Sequence, residues 1–433
     1  MKTLQSIVLA GSLLYANGLS AQQLDSLTID AAVRLAIQNS ITLRQAEAQR
    51  QAAQAKVTQS RSDYYPRVNV MADYTKLGPI GEFSFPVFGT IPLFPSSSVN
   101  ARVAATETLL DLGVRSAKVD ASQTLVAAAE DNARGIRSAL ILQVKQTFYT
   151  TMLLERSVRV QNEQIEALNE HLHITQQRVE SGSATDFDAL STSVRVSQSE
   201  NVRIALERSL HDQQINLRKI LGLPWGAPAL VSGTFYQPVN DVSLDTLLRL
   251  ARDRRPDLVS ATDAVTSAQA QVAVARGDDD PVLRLHAAYG FTNGYEPNLD
   301  VLRGNWAAGV SLEVPIYNGS NTRGKIDEAE ANVRAAQERL NDMIRNAESE
   351  VRQAYEGLQS SRAQIASTDL QVREAESAVA NARVRYESGA GTNLDLLDAE
   401  TNVSKAHLEQ LQARYEYMMA RVALDAATGA FGQ

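Results

Sequence analysis

From Arg178 the chain reads RVESGSATDFDAL, and from Arg385 it reads RYESGAGTNLDLL. Roughly half of these positions are identical at a constant offset of 207, and Lys118-Val119 and Lys325-Ile326 keep the same spacing. Nearer the N-terminus the offset is 215: Asp30 matches Asp245, Arg34-Leu35-Ala36 matches Arg249-Leu250-Ala251, and Pro66 matches Pro281. The two offsets differ by eight residues, which places an insertion between Pro66 and Lys118. Self-similarity at fixed spacing marks a repeated structural unit. The chain is a tandem duplication.

Each half has one grammar. A helix of about 35 residues comes first, Thr28 to Tyr64, matched by Ser243 to Gly277 with a break at Pro256. Two strands follow, then a very long helix, a turn containing Gly182 or Gly389, and a returning helix. No proline lies between Pro95 and Pro224, and none follows Pro315. Because an interior proline costs about 3 kcal/mol or more, Leu112 to Glu180 and Gly319 to Glu387 are free to run unbroken. At 1.5 Å per residue each spans roughly 100 Å, too long for a compact domain. Val158, Ile165, Leu172 and Val179 recur every seven residues, as do Val351, Leu358, Ile365, Val372, Val379 and Tyr386. Leu394, Leu408, Tyr415 and Val422 form one seam of the last helix, and Leu397, Leu411 and Met418 another. A period of 3.5 implies left-handed supercoiling of packed helices, so each half is a long coiled-coil hairpin.

Composition bounds the chemistry. Of 433 residues, 44% are hydrophobic and 21% charged, as in an ordered chain. There is no cysteine, which excludes disulfides, thiolate metal sites and thiol nucleophiles. The net charge is −8 and the basic residues are scattered, so no basic stripe for nucleic acid is present. Lys2, the apolar run Ile7 to Leu14 and Leu19-Ser20-Ala21 read as a cleavable export signal over 1–21, leaving Gln22 first. The first repeat then covers 22–222, a linker 223–242, and the second repeat 243–433. Past the signal no apolar run approaches the roughly 20 residues of a membrane helix.

The strands alternate. Leu283, Leu285, Ala287, Tyr289 and Phe291 interleave with Arg284, His286, Ala288 and Gly290. Trp306, Ala308, Val310, Leu312 and Val314 interleave with Asn305, Ala307, Gly309, Ser311 and Glu313. Val68, Val70, Ala72 and Tyr74 repeat the pattern opposite Asn69 and Asp73. Strict period-two alternation gives one apolar and one polar face, with Tyr64, Tyr65, Tyr289, Phe291, Tyr295 and Trp306 as interfacial aromatics. Taken alone, such strands suit a soluble hairpin packed on a helix. At the end of helices roughly 100 Å long, no core exists to receive their apolar faces. Membrane barrels start at about eight strands, so four must be completed by other copies, and three copies give twelve. The fold class is therefore mainly α with membrane β: duplicated, long coiled-coil helical hairpins, plus four strands per chain given to a β-barrel that other copies complete.

No catalytic constellation is legible, and neither enzyme activity nor a cofactor is expected. Gly319 to Lys325 fits the first seven positions of a phosphate-binding loop, but Ile326 stands where a Mg²⁺-holding hydroxyl belongs, so it reads as a strand-to-helix turn. His171 and His173 are two apart on a helix and point to different faces. Gly182 and Gly389 supply the backbone freedom of the tight reversals. Asp186 and Asp188 follow the first turn; Asp395 and Asp398 follow the second and share a helix face. Acids in a first helical turn also stabilise it by about 0.3–1 kcal/mol, a plain alternative to any role in the pore. Asp278, Asp279 and Asp280 suit a solvated turn, a channel-lining stretch or a cation-holding cluster. The apolar loop Phe83 to Pro95 suits a barrel-mouth cover, lipid contact or a neighbouring protomer.

Four stretches in order, LTIDAAVRLAIQNS at Leu27, RRPDL at Arg254, VPIYNGSNTRGK at Val314 and YESGAGTNLDLLDAE at Tyr386, resemble the TolC family of outer-membrane efflux and secretion channels. The resemblance spans essentially the whole mature chain. It implies a homotrimer, with the hairpins forming an α-barrel tunnel in the periplasm and four strands per chain forming a trimeric β-barrel in the outer membrane. It also implies a periplasmic adaptor and an inner-membrane transporter as partners, in efflux or type I secretion. In that family two aspartates after the turn ring the periplasmic entrance, which implies this role for Asp395 and Asp398. By the same resemblance Tyr386 is the tyrosine before them, and Thr185 and Asp186 bond neighbouring helices in the shut state. A basic residue expected two after the turn glycine is Gly391 here. A non-channel periplasmic coiled-coil scaffold is the alternative from another class.

Overall fold

A computed structural model describes residues 27–86, 89–92, 94–227, 230–235 and 242–432. The 1–21 leader with its cleavage site, parts of the 223–242 linker and parts of the Phe83 to Pro95 loop lie outside the described residues. The first repeat contains α1 (Ile29–Asn39), α2 (Ile41–Arg61), β1 (Arg67–Lys76), β2 (Glu82–Phe85), β3 (Gly89–Pro92), β4 (Ser97–Leu110), α3 (Val114–Glu180) and α4 (Asp186–Leu221). The second contains α5 (Leu244–Arg254), α6 (Pro256–Arg276), β5 (Val282–Thr292), β6 (Arg303–Glu313), α7 (Asn321–Glu387) and α8 (Asn393–Ala427). Both long helices, α3 and α7, have 67 residues, and their ends correspond at the offset of 207. The length difference between the repeats falls in the β1–β4 connection, which holds the extra hairpin β2–β3.

The continuous first helix expected from Thr28 to Tyr64 is in fact two helices, broken at Ser40. Ser40 is extended (φ −61°, ψ 121°) and its hydroxyl accepts the Leu43 N–H at 3.2 Å. A serine N-cap thus does at Ser40 what Arg255-Pro256 does at the matching place in the second repeat. The long helices also begin two residues later than expected. Leu112 and Gly113, like Gly319 and Ser320, are left-handed (φ 49°, 104°, 69° and 67°), so each strand-to-helix joint bends through two such residues. Gly319 to Lys325 forms this joint and the first turn of α7, and Lys325 pairs with Asp278.

Each long helix packs along its returning partner, α3 with α4 and α7 with α8, and α8 also packs on α3. Helix α6 sits against both α3 and α7; its counterpart α2 packs against α3. Val351, Leu358, Ile365, Val372 and Tyr386 of the expected heptad seam are buried, as are Leu397, Met418 and Val422, whereas Leu394 stays exposed. The main core lies midway along the hairpins, where Ala32 and Ala36 of α1 and Leu247 and Ala251 of α5 meet Val144, Phe148, Leu217, Tyr417 and Val422.

At the far end β1-β4-β5-β6 form one antiparallel sheet. Register puts Val70, Val103, Tyr289 and Trp306 in one cross-strand row, and Val68, Ala105, Ala287 and Ala308 in the next. These rows make an apolar face on which Val70, Tyr74, Tyr289, Trp306 and Leu312 are exposed. The opposite face carries Asn69, Arg102, His286 and Asn305. Among the described residues neither face is covered by a helix, and β1 and β6 each pair along one edge only.

Candidate entrance at the helix tips

At the opposite end each hairpin reverses in the same way. Gly182 and Gly389 both have φ 76°, the left-handed conformation that ends a helix cheaply only with glycine. Ser183 and Ala184 donate their N–H groups to Arg178 O, and Ala390 and Gly391 donate theirs to Arg385 O. The returning helices then start with matching capping boxes. The Thr185 hydroxyl accepts the Asp188 N–H while Asp188 accepts the Thr185 N–H; Thr392 and Asp395 do the same in the second repeat.

These contacts place the anticipated residues. Asp395 is fully solvated, and bonds from the Thr392 backbone N–H and from its side chain hold the carboxyl below its ordinary range. Its charge therefore persists at mildly acidic pH. Asp398 lies on the same helix and accepts from Arg195 Nη2 of α4 at 3.1 Å, a solvent-exposed pair worth about 0–1 kcal/mol. Asp186 opens α4 and Thr185 caps it. Tyr386 is buried at 7% exposure, and among the described residues its hydroxyl meets no hydrogen-bond partner. Within one chain, then, Tyr386 does not bond Thr185 or Asp186. The acids Asp278 and Asp279 tie two elements together: Asp279 accepts from Asn318 Nδ2 (2.8 Å) and Thr322 Oγ1 (2.6 Å), and Asp278 binds Lys325. At the N-terminus of α7 they complement its dipole, and both stay exposed in a single 3-10 turn, as a solvated turn requires.

The residues joining the two hairpins are ones the sequence did not single out. Arg178 of α3 lies 4.4 Å over the Tyr386 ring and donates to Tyr386 O (3.1 Å) and Glu387 O (3.4 Å), capping the end of α7. A cation from another helix thus serves this tip, where Gly391 has none to offer. His171, expected to be idle, is 4% exposed and packs edge-on against Tyr386. Asn393 Nδ2 donates to Asp188 O at 3.2 Å, so its Oδ1 accepts from His171 Nε2 at 2.7 Å. That contact fixes the Nε2–H tautomer of a neutral imidazole and pins α3, α4 and α8 together. Beside it is a cavity of about 130 Å³ lined by Arg178, Arg383, Tyr386 and Glu400. Burial raises the Glu400 carboxyl, with Arg383 opposing at 3.6 Å.

Burial also lowers the pKa of His171 below the ordinary 6.5. A depressed basic group favours the folded contact fully above the unfolded value and loses that support as pH falls through the folded value. Spin labels at Ser183 and Ala390 are therefore expected to show a broadening tip-to-tip distance on acidification below about pH 6.5. The His171→Gln variant should show none. Equal broadening in both would remove His171 from the account.

The outer membrane efflux protein family model matches residues 32–223 and 247–430, once per repeat. CyaE of Bordetella pertussis is 27% identical over 425 residues, covering 95% of this chain and 86% of that protein. The alkaline protease secretion protein AprF of Pseudomonas aeruginosa is 26% identical over 67% of this chain; the match spans 62% of AprF's own length. Among solved structures, CusC superposes with a TM-score of 0.80 at 20% identity over 93% of this chain and 92% of its own. The outer-membrane channel OprN gives 0.78 at 22% over 95% and 92%. With both repeats matched and the same fold over nearly the full length, the chain belongs to the outer membrane efflux protein family.

Proposed function

We propose that three copies of this chain form a passive exit duct through the outer membrane and periplasm, in an efflux or type I secretion system. The observation that carries this is the four-stranded sheet. Among the described residues its apolar face is exposed and its two edges are unpaired, and it stands at the end of helices about 100 Å long. Lipid forbids open strand edges, and β6 of one copy set beside β1 of the next continues the antiparallel order. Three such joins close twelve strands. The helices ask for the same partner. Leu397 of α8 is 1% exposed against α3, while its repeat equivalent Leu190 of α4 is 63% exposed; Val422 and Ile215 stand at 2% and 36%. A neighbour's second repeat would cover α4 as α3 covers α8.

In this duct a periplasmic adaptor and an inner-membrane transporter supply substrate and energy at the tip end. Asp395 and Asp398 from three copies ring the entrance, with Tyr386 preceding them, and Thr185 and Asp186 bond neighbouring helices when it is shut.

Purified protein added to planar bilayers is expected to give discrete conducting steps, and outer-membrane fractions to hold heat-modifiable trimers. Soluble periplasmic monomers without conductance would instead establish the coiled-coil scaffold. The sheet's two faces give a finer test. Val70→Arg puts a charge on the lipid side, costing about 2–4 kcal/mol near mid-bilayer, and should cut trimer yield sharply. Asn69→Arg, one residue away on the inner side, should leave yield near normal. Equal losses would mean that the faces are assigned wrongly.

A further inference from the structure

The polar face of the sheet carries a charge opposite to that of the chain. Its cations are Arg67, Arg102, Arg284 and Arg303, and its acids Asp73 and Glu313, a balance of +2 (four minus two) on a chain of net −8. The cations nearest the helices are neutralised: Arg67 pairs with Asp63, and Arg284 with Glu313. In the half of the sheet farther from the helices the situation differs. Arg102 shares a cross-strand row with Met71, Gly290 and Asn305, and the next row holds Asp73, Asn100, Thr292 and Arg303. Among the described residues neither Arg102 nor Arg303 is paired to a carboxylate; the Arg102 guanidinium donates to Met71 Sδ at 3.9 Å. Asp73, the one acid there, accepts from Asn100 Nδ2 at 3.1 Å.

Neighbouring backbone makes room for Arg102. A Cβ on Gly290 would stand 2.6 Å from the Arg102 Cβ, so only glycine lets β5 lie flush beside it. Guanidinium groups present a planar fork of donors suited to oxyanions, and Asn100 and Asn305 add neutral donors in the same two rows, roughly 7 Å apart along the strands.

We propose that Arg102 and Arg303 of each copy form an anion-attracting collar inside the outer half of the barrel, taking multiply charged oxyanions. This rests on the channel reading, because closure is what turns the polar face inward and brings three copies of each arginine around one axis. Several cations addressing one ligand raise its affinity without new contacts. The pore then has an acidic tip and a cationic outer section in series.

The test uses the full-length trimer in planar bilayers. A tunnel of charged helices cannot cross lipid, so protein added to one side inserts barrel first and its barrel mouth faces the other. Inositol hexakisphosphate added at the barrel side is expected to block current in a voltage-dependent way, less so at high salt. Arg102→Gln with Arg303→Gln should raise the half-blocking concentration about tenfold or more, and the double Lys variant should keep the block. If the Gln variant does not assemble, Asp73→Asn, which keeps both arginines, should tighten the block. Conducting channels insensitive to the hexakisphosphate, or a block unchanged in the Gln variant, or no tightening in Asp73→Asn, would overturn the collar and leave the duct standing. Absence of conductance would instead overturn the duct.

Discussion

A chain carrying Leu190→Cys and Ala375→Cys is expected to crosslink into a ladder that ends at three. Leu168 of α3, Val196 of α4 and Leu397 of α8 form one buried cluster where the first repeat meets the second. Shifted by the repeat offset of 207, the first two become Ala375 and Val403, and Leu397 becomes Leu190. If alternate repeats close a ring, Leu190 of one copy occupies, against Ala375 and Val403 of the next, the place Leu397 holds within the chain. Covering a leucine of that size contributes about 1.5–3 kcal/mol, and the join recurs three times in the ring. The native chain has no cysteine, so a short bismaleimide has no background target. Leu168→Cys with Leu397→Cys is the internal control, and should join only within one chain. Dimer and trimer bands from the first pair, none from either single variant, are the expected result. A ladder running past three, or no bands between chains, would reject closure by three copies.

The second large effect concerns the acidic tip. Asp395→Ala with Asp398→Ala is expected to lower cation selectivity and to raise the half-blocking concentration of spermine, added at the tip side, about tenfold. Trimer yield should stay near normal. Like charges about 4 Å apart repel by about 1 kcal/mol in bulk water and by about 4 at an effective dielectric near 20, and the solvated setting of Asp395 favours the smaller figure. Both residues also have local work: Asp395 closes a capping box and Asp398 pairs with Arg195. Asp188→Asn separates the two roles, because Asp188 is the matching cap of the first repeat. If that variant alters selectivity as much as the double alanine, charge anywhere at the tips suffices. If the double alanine loses thermal stability while selectivity and block persist, the aspartates are caps and the ring is absent.

The large architecture was legible because it rests on patterns that local chemistry enforces. Proline-free stretches, the seven-residue period and strict alternation each follow from backbone sterics and one-sided burial, and all appear twice. The break at Ser40 was missed because a serine inside an apolar period looks like an ordinary surface position, whereas Pro256 announces itself. Thr-x-x-Asp after each turn is a capping signature, so the local bonds of these acids are as legible as their charge. The His171–Asn393 contact left a fainter trace. Its partners are 222 residues apart, brought together only when the hairpins dock. Yet Asn393 stands where the first repeat has Asp186, and a departure from the repeat is where a contact between repeats can be sought. Arg178 is conserved between the repeats as Arg385, so repeat comparison alone gave no hint that only the former reaches across to cap α7.

The equal lengths of α3 and α7 make the molecule a ruler with two scales that must agree. Removing one residue from α3 alone would lift that tip by about 1.5 Å and rotate everything beyond it by about 100°, leaving alternate tips of the ring out of level and facing the wrong way. A change of span must therefore be written into both repeats, into the descending and returning helices together, and in steps that restore the seven-residue phase. The chain's difference in length between its repeats sits in the β1–β4 connection instead, beyond the last point at which the two scales are compared. Lengthening or shortening the duct by design means making four matched edits per chain, or none.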